Sequence, residues 1–455
     1  MVNPTIVERK KDFDIKKGIP LPINVTERKV GDFYLFIAPE KASFFTTNEF
    51  GARILHFFRD GYTIEQVINA FKSEGIDQAT IVSQLQRFLV KVEKKGFYEH
   101  SEVIDFHVEN PSLHLDLSMK CNLSCPQCFQ DAGEERLHEL STEEWLHIID
   151  TFSATYQTRV CFSGGEPMMH PGIFELLERA NERGLKVTLF SNGTFFTDEK
   201  IVKRLEKSVE RIQMSLDGAT AEVNDSVRGK GVFDRVIQAA KWIEDSAISI
   251  DIAISVMPQN VEDLKKNLEN LMKMFGPKVN IRTSQLMKEG RANDNHLFAS
   301  KEIGSKTVRK VMGQLFQKHL KILPRYDKNV KMNNCGYGET IVISSTGDVY
   351  PCNYYYDKTK YGNIRDNDLL EIMEKINRDL KLVEVDNIAT CKNCDLKVIC
   401  YGGCRLNNII RNNNLFMPLC TQKHQEELCR DVVDHEENFD PLALWMGETK
   451  LDQGQ

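Results

Sequence analysis

Between Leu113 and about Ser284 the sequence alternates short apolar runs with stretches of helical period, and that alternation leaves few folds open. The strands read as Leu113–Ser118, Arg159–Phe162, Lys186–Phe190, Arg211–Ser215, Ile248–Val256 and Val279–Thr283. Helical segments such as Glu143–Ser153, Gly172–Arg183, Val232–Glu244 and Glu262–Met274 lie between them. A helix after each strand carries the chain back to begin the next strand in the same direction. Six such units therefore imply an α/β fold with a parallel sheet, either open or curled into a partial barrel. Ligands of these folds bind at the carboxyl ends of the strands, and the unusual residues of this chain sit at those ends.

On either side the pattern differs. Residues 1–100 read as a separate unit: two short strands, Asp32–Ile37 and Ala42–Thr47, then helices at about Glu49–Phe58, Thr63–Ser73 and Ala79–Lys95. Gly61 and Thr63, with Glu65 and Gln66 close behind, mark a helix start. A hairpin followed by three helices is expected to form a winged-helix-like module, joined by a linker over Glu99–Pro111 that holds the Asn110-Pro111 break. The β/α region is assigned to residues 105–300. Residues 301–455 then comprise a helical bridge, Lys301–Pro324, and a cysteine-rich domain in which the run Asn407–Asn414 reads as a surface loop.

The net charge of −7 gives no support to nucleic-acid or anionic-membrane binding, each of which wants a basic face. No apolar run approaches the roughly 20 residues that span a bilayer. Met1–Lys17 is charged and lacks an apolar core, so the protein is expected in the cytoplasm. Twelve cysteines in a reducing compartment are not a disulfide framework, and they are clumped, with none before residue 121. Such clumps point to metal.

The first clump, Cys121-Asn-Leu-Ser-Cys125-Pro-Gln-Cys128, follows the first strand directly. Thiolate is the usual iron–sulfur ligand, and three thiolates on four irons leave one iron open to a small molecule. Structural zinc takes four closed ligands, and no fourth cysteine or histidine is near in sequence. This C-x3-C-x2-C loop resembles the signature of the radical S-adenosylmethionine superfamily, and the later strand ends match that family too. Phe162-Ser163-Gly164-Gly165-Glu166-Pro167 resembles its GGEP element, whose paired glycines would bare backbone to the cofactor's amino-acid moiety. Ser191-Asn192-Gly193 and Ser215-Leu216-Asp217-Gly218 resemble stretches near the ribose. The run Asn224–Phe233 resembles the segment whose arginine, here Arg228, pairs with the cofactor carboxylate. Where the family often has an aromatic residue before the last cysteine, this chain has Gln127. The resemblance implies a [4Fe–4S] cluster on Cys121, Cys125 and Cys128. It also implies S-adenosylmethionine held by Gly164, Gly165, Glu166, Ser191, Asn192, Ser215 and Arg228, and a 5′-deoxyadenosyl radical that abstracts hydrogen from an unactivated C–H bond.

The C-terminal third reads Cys335, Cys352, Cys391-x2-Cys394-x5-Cys400-x3-Cys404 and Cys420, which resembles the SPASM extension of peptide-modifying family members. The resemblance implies two auxiliary [4Fe–4S] clusters, one on Cys335, Cys352 and Cys404, the other on Cys391, Cys394, Cys400 and Cys420. Seven thiols for eight positions leave one iron open or closed from outside. Cys429 is a candidate for that position, though an unliganded place on a helix is the simpler reading, and Cys161 reads as a core residue of a buried strand. A winged-helix-like unit ahead of these domains resembles the recognition element of ribosomal-peptide maturases, in which a leader peptide adds a strand to the wing sheet. Asn334-Cys335-Gly336-Tyr337-Gly338 and Gly347-Asp348-Val349-Tyr350-Pro351-Cys352 resemble sactipeptide maturases. The expected activity is thioether cross-linking of a precursor peptide, with an electron donor such as flavodoxin or ferredoxin. Carbon–carbon cross-linking, formylglycine-type maturation and a zinc-rich non-enzymatic binding protein are the alternatives, and for the N-terminal unit a DNA-binding winged helix.

Overall fold

A computed structural model describes residues 14–106, 110–276, 278–285, 290–295, 329–353, 359–415, 417–418 and 420–438. The expected helical bridge Lys301–Pro324 lies outside them.

The N-terminal module holds one strand more than the sequence implied. β1 (Thr26–Val30), β2 (Phe33–Ala38) and β3 (Ser43–Asn48) form an antiparallel sheet in that order. Thr26–Val30 carries two lysine or arginine residues and little apolar character, so only pairing with β2 makes it a strand. Three helices follow: α1 (Glu49–Arg59), α2 (Ile64–Ser73) and α3 (Gln78–Lys95). Thr63 caps α2 as expected, with its side chain accepting from the Gln66 amide while the Gln66 side chain accepts from the Thr63 amide. One face of the sheet packs Phe36 and Phe45 against Ile54, Leu55, Phe88 and Leu89 of these helices.

The linker region includes a short strand, β4 (Ile104–Phe106), which pairs in parallel with β11 (Val330–Met332). Then comes the α/β unit: β5 (Ser112–Asp116), α4 (Thr142–Ser153), β6 (Arg159–Ser163), α5 (Ile173–Glu182), β7 (Lys186–Ser191), α6 (Glu199–Leu205), β8 (Arg211–Ser215), α7 (Ala221–Arg228), α8 (Val232–Glu244), β9 (Ser249–Val256), α9 (Val261–Met274), β10 (Val279–Gln285) and α10 (Gly290–Asp294). β5 to β10 lie side by side in sequence order, all parallel, the arrangement of a partial barrel.

Strand alternation separates two faces. Leu113, Leu115, Val160, Phe162, Val187, Leu189, Ile212 and Ile252 meet the helices in one large apolar core with Trp145, Phe152, Leu176 and Val236. The opposite face carries His114, Asp116, Cys161, Thr188, Gln213 and Asp251. Cys161 is therefore not a core residue of the helix-packed face; it is half-buried on the polar face, directly across from His114.

The sheet does not stop at the C-terminal domain. β12 (Thr340–Ile343) pairs in parallel with β5, and β13 (Asp348–Tyr350) and β14 (Gly362–Asn363) extend it antiparallel to nine strands. α11 (Leu369–Leu382), α12 (Lys397–Cys400), α13 (Arg405–Asn412) and α14 (Gln422–Asn438) complete the chain. α13 replaces the expected loop at Asn407–Asn414. Leu406 and Asn408 on it are buried, and Asn408 bonds the Leu415 carbonyl, so its asparagine-rich sequence is partly interior. α14 lies across the second face of the N-terminal sheet, where Leu35, Ile37 and Phe44 join Leu396, Val398, Cys429 and Val433 in an apolar cluster. Lys91 and Lys95 of α3 bind Glu437 and Glu436 of α14 at 2.6 and 2.8 Å. Arg28 of β1 grips Asp395 with two nitrogens at 3.0 and 2.7 Å.

Candidate functional site

The loop after β5 is fixed by backbone before any ligand is considered. The Cys121 amide donates to Gly133 O at 2.8 Å and the Gly133 amide to Met119 O at 2.9 Å, folding the loop back on itself. The Gly165 and Glu166 amides donate to Ser118 O and Lys120 O at 2.7 and 2.8 Å. A Cβ on Gly164 would lie 2.4 Å from Ser118 O, and one on Gly165 2.3 Å from Lys120 O. The paired glycines thus serve first to let the cysteine loop cross against β6, and two of the amides expected to face a cofactor are already spent.

Behind the loop stands a buried network. Glu166, 1% exposed, accepts from Ser191 Oγ at 2.9 Å, the Asn192 amide at 2.7 Å and the Met168 amide at 3.1 Å. Burial pushes its carboxyl up to about 7, against the pull of these donors. Asn192 Nδ2 donates to Asn122 Oδ1 at 2.8 Å and reaches Cys121 Sγ at 3.9 Å, while Asn122 Nδ2 donates to Thr194 Oγ1 at 2.9 Å. Glu166, Ser191 and Asn192 therefore hold one another and the cysteine loop. Asn122 and Thr194 belong to the same network and carry no motif that sequence reading would single out.

A second anchor is Asp217, fully buried at the end of β8. It accepts from Arg228 Nε at 2.7 Å, Gln127 Nε2 at 2.6 Å and the Ser255 amide at 2.7 Å. In the Ser-Leu-Asp-Gly element it is the aspartate, more than Ser215, that organises the site, and Gln127 ties the cysteine loop to it. Of the Arg228 fork Nε is engaged with Asp217, and among the described residues its two terminal nitrogens make no further hydrogen bond. From beyond the barrel, Arg291 closes over the loop, its Nε donating to Cys125 O at 2.9 Å and its amide to Cys128 O at 3.0 Å. Nothing in its local sequence marks Arg291 for that role.

Cys121, Cys125 and Cys128 lie together here, each acting electrostatically on its neighbours. Burial pushes the Cys121 and Cys125 thiols up, and Arg228 pulls Cys125 back down. The Ala132 amide donates to Cys128 Sγ at 3.4 Å. Three neighbouring sulfurs with N–H donors and a guanidinium nearby suit anionic thiolates on an iron–sulfur cluster.

The C-terminal cysteines lie near one another, and Cys404 is common to both neighbourhoods. Cys335 and Cys404 are hydrogen-bonded to each other, with Cys352 packed in the same cluster as Cys404 beside Tyr337. Cys391, Cys394, Cys400 and Cys420 line a cavity of about 310 Å³ together with Cys404, and Gln425 Nε2 reaches Cys420 Sγ at 3.4 Å. Cys429 does not line that cavity; it is buried on α14 in the apolar cluster under the N-terminal sheet, against which Cys394 also packs. Among the described residues no three His, Cys, Asp or Glu side chains converge as ligands of one metal ion would.

Residues 116–271 match the model of the radical SAM superfamily, and residues 335–395 match an iron–sulfur cluster-binding domain, SPASM. The mycofactocin maturase of Mycolicibacterium smegmatis is 31% identical over 306 residues, covering 64% of this chain and 77% of the relative. An AdoMet-dependent heme synthase of Methanosarcina barkeri is 29% identical over 322 residues, covering 64% and 89%. The solved structure of Streptococcus suis SuiB bound to precursor peptide SuiA shares the fold, with a TM-score of 0.51 and 18% identity, covering 86% of this chain and 97% of that one. The chain belongs to the radical SAM superfamily and carries a SPASM domain. Its cofactors are accordingly S-adenosylmethionine, a [4Fe–4S] cluster and auxiliary iron–sulfur clusters. Among the described residues no helix is long and apolar enough to cross a membrane.

Proposed function

We propose that this protein matures a ribosomally synthesised precursor peptide by forming intramolecular thioether links from cysteine sulfur to carbon. The observation that carries the reading is a count of seven C-terminal thiols besides Cys429, which we assign as a set of four, Cys391, Cys394, Cys400 and Cys420, around a cavity that Cys404 also lines, and a set of three in which Cys404 bonds Cys335. The set of four would hold one auxiliary cluster completely. Cys335, Cys352 and Cys404 would hold the other and leave one position, which a substrate cysteine thiolate can fill.

Cys121, Cys125 and Cys128 would hold the remaining cluster, with Gly164, Gly165 and Ser215 lining the S-adenosylmethionine site and the free nitrogens of Arg228 meeting the cofactor carboxylate. When bound, these groups supply the radical chemistry that removes hydrogen from an unactivated C–H bond. The chain's own task is orientation. Glu166, Ser191 and Asn192 fix the cysteine loop from behind, Asp217 fixes Arg228 and Gln127, and Arg291 closes the loop from the far side.

Residues 1–100 would recognise a leader peptide, residues 105–300 carry the radical site, and residues 301–455 form the bridge and SPASM domain. With both faces of the wing sheet covered, a leader strand can add only along an edge. Tethering there raises the local concentration of the core peptide. A flavodoxin or ferredoxin would supply electrons.

Mass spectrometry of the precursor peptide after co-expression tests the reading. The expected product lacks two hydrogens per bridge, survives reduction and resists thiol alkylation. A product with the same mass loss but alkylatable thiols means carbon–carbon cross-linking. An unmodified peptide, with turnover of a heme-type substrate instead, sinks the peptide reading. In the holoenzyme a cysteine-containing peptide is expected to alter the auxiliary-cluster EPR signal.

A further inference from the structure

Arg405 is fully buried, yet among the described residues none of its hydrogen bonds goes to a carboxylate. Nε and Nη2 donate to Val383 O at 2.9 and 2.7 Å, Nη1 to Gly403 O at 2.7 Å, and Nη2 to Tyr401 O at 3.0 Å. Carbonyl dipoles engage four of the five N–H donors but do not neutralise the charge. A guanidinium shut away from water without an anion is strongly unfavourable, and it cannot escape by losing its proton.

The ionisable groups acting on it most strongly are Cys335, Cys391, Cys400 and Cys404. Cys335 and Cys404 belong to the proposed three-cysteine set and Cys391 and Cys400 to the proposed four-cysteine set, and Gly402, Gly403 and Cys404 beside the cation line the cavity of the latter, so the cation neighbours both. Its own amide bonds Cys335. The backbone is bent to admit it: Gly402 has φ +79, and a Cβ there would lie 2.9 Å from Nη1 and 3.0 Å from Nη2. Neutral thiols would leave the charge unbalanced, whereas thiolates bound to iron balance it.

We propose that Arg405 is a positioning residue shared by the two auxiliary clusters, a fixed counter-cation that raises the reduction potential of both. The inference rests on the two ligand sets proposed above. A positive charge favours the more negative, reduced form of a cluster, and the low dielectric of a buried site magnifies the effect. Because arginine stays protonated, the bias is permanent and insensitive to pH.

The test is an EPR-monitored redox titration of anaerobic, iron-reconstituted full-length protein, comparing the parent with Arg405→Met and Arg405→Lys. In Arg405→Met the reduced-to-oxidised ratio of the auxiliary clusters at a fixed potential is expected to fall about tenfold, which is 59 mV for a one-electron couple. The cluster of the barrel site and the Arg405→Lys variant are expected to stay near the parent. Full iron content with unchanged auxiliary potentials in Arg405→Met overturns the proposal. If Arg405→Met cannot hold auxiliary iron, retention by Arg405→Lys supports the role of charge, and equal loss in both shows a mere clamp on Val383 and overturns it. Parent protein that binds only about four irons fails earlier, at the ligand sets, and takes the proposal with it.

Discussion

The loop of Cys121, Cys125 and Cys128 and the segment from Cys391 to Cys420 both present closely spaced thiols, but they are held by different means. The first is clamped to a rigid sheet by backbone amides, two buried carboxylates and Arg291. The second hangs on short helices and left-handed turns at Tyr401, Gly402 and Gly403, with small apolar clusters and a lone buried arginine at its centre. A site built on regular elements is preformed, whereas one built on turns takes its order from the metal. That contrast teaches where the chain can be broken selectively.

The largest effect is expected from replacing Cys121, Cys125 and Cys128 together with alanine. Cleavage of S-adenosylmethionine should fall to background and iron content drop from about twelve to about eight per chain, leaving the auxiliary signals in place. Retained cleavage would remove the basis of the site. Next, stripping iron with a chelator should expose residues 390–420 to limited proteolysis while residues 112–256 stay resistant. Equal resistance of the two segments would erase the contrast drawn here. Within the barrel site, Glu166→Gln and Asn192→Ala act through the cysteine loop, and each should cut the rate of cofactor cleavage roughly 10–100-fold with the fold intact.

A smaller effect concerns the polar face of the barrel. Burial alone would lower the His114 pKa, but Asp116, at 3.3 Å, and Cys161 raise it to about 10. A histidine raised on folding adds stability that is complete below about 6.5 and is lost as pH climbs through about 10. The melting temperature should therefore decline across that window, and His114→Gln should flatten the decline. Smallest of all, Arg28→Ala removes the two-pronged, partly exposed bridge to Asp395 and should destabilise the docking of the N-terminal sheet by about 1 kcal/mol in denaturant titrations. A wholly unaffected transition would mean that the apolar contacts of Leu35, Ile37 and Phe44 alone hold the module.

The local sequence determined the parallel β/α order, the α2 capping box and the radical SAM and SPASM cysteine motifs, because strand alternation, helix caps and ligand spacing are short-range patterns. It also marked the strand ends at which Glu166, Asn192, Asp217 and Arg228 meet. Tertiary structure decided what those residues do to one another. It put Glu166 behind the loop, turned Cys161 onto the polar face, and brought Asn122, Thr194 and Arg291 to the site from positions that look ordinary. It also joined β12 to β5 across more than two hundred residues, made Thr26–Val30 a strand, and folded an asparagine-rich run into α13 around buried Arg405. The physical reason is common to all of these: burial, desolvation and a partner's charge depend on what lies across space, and only the folded chain fixes that.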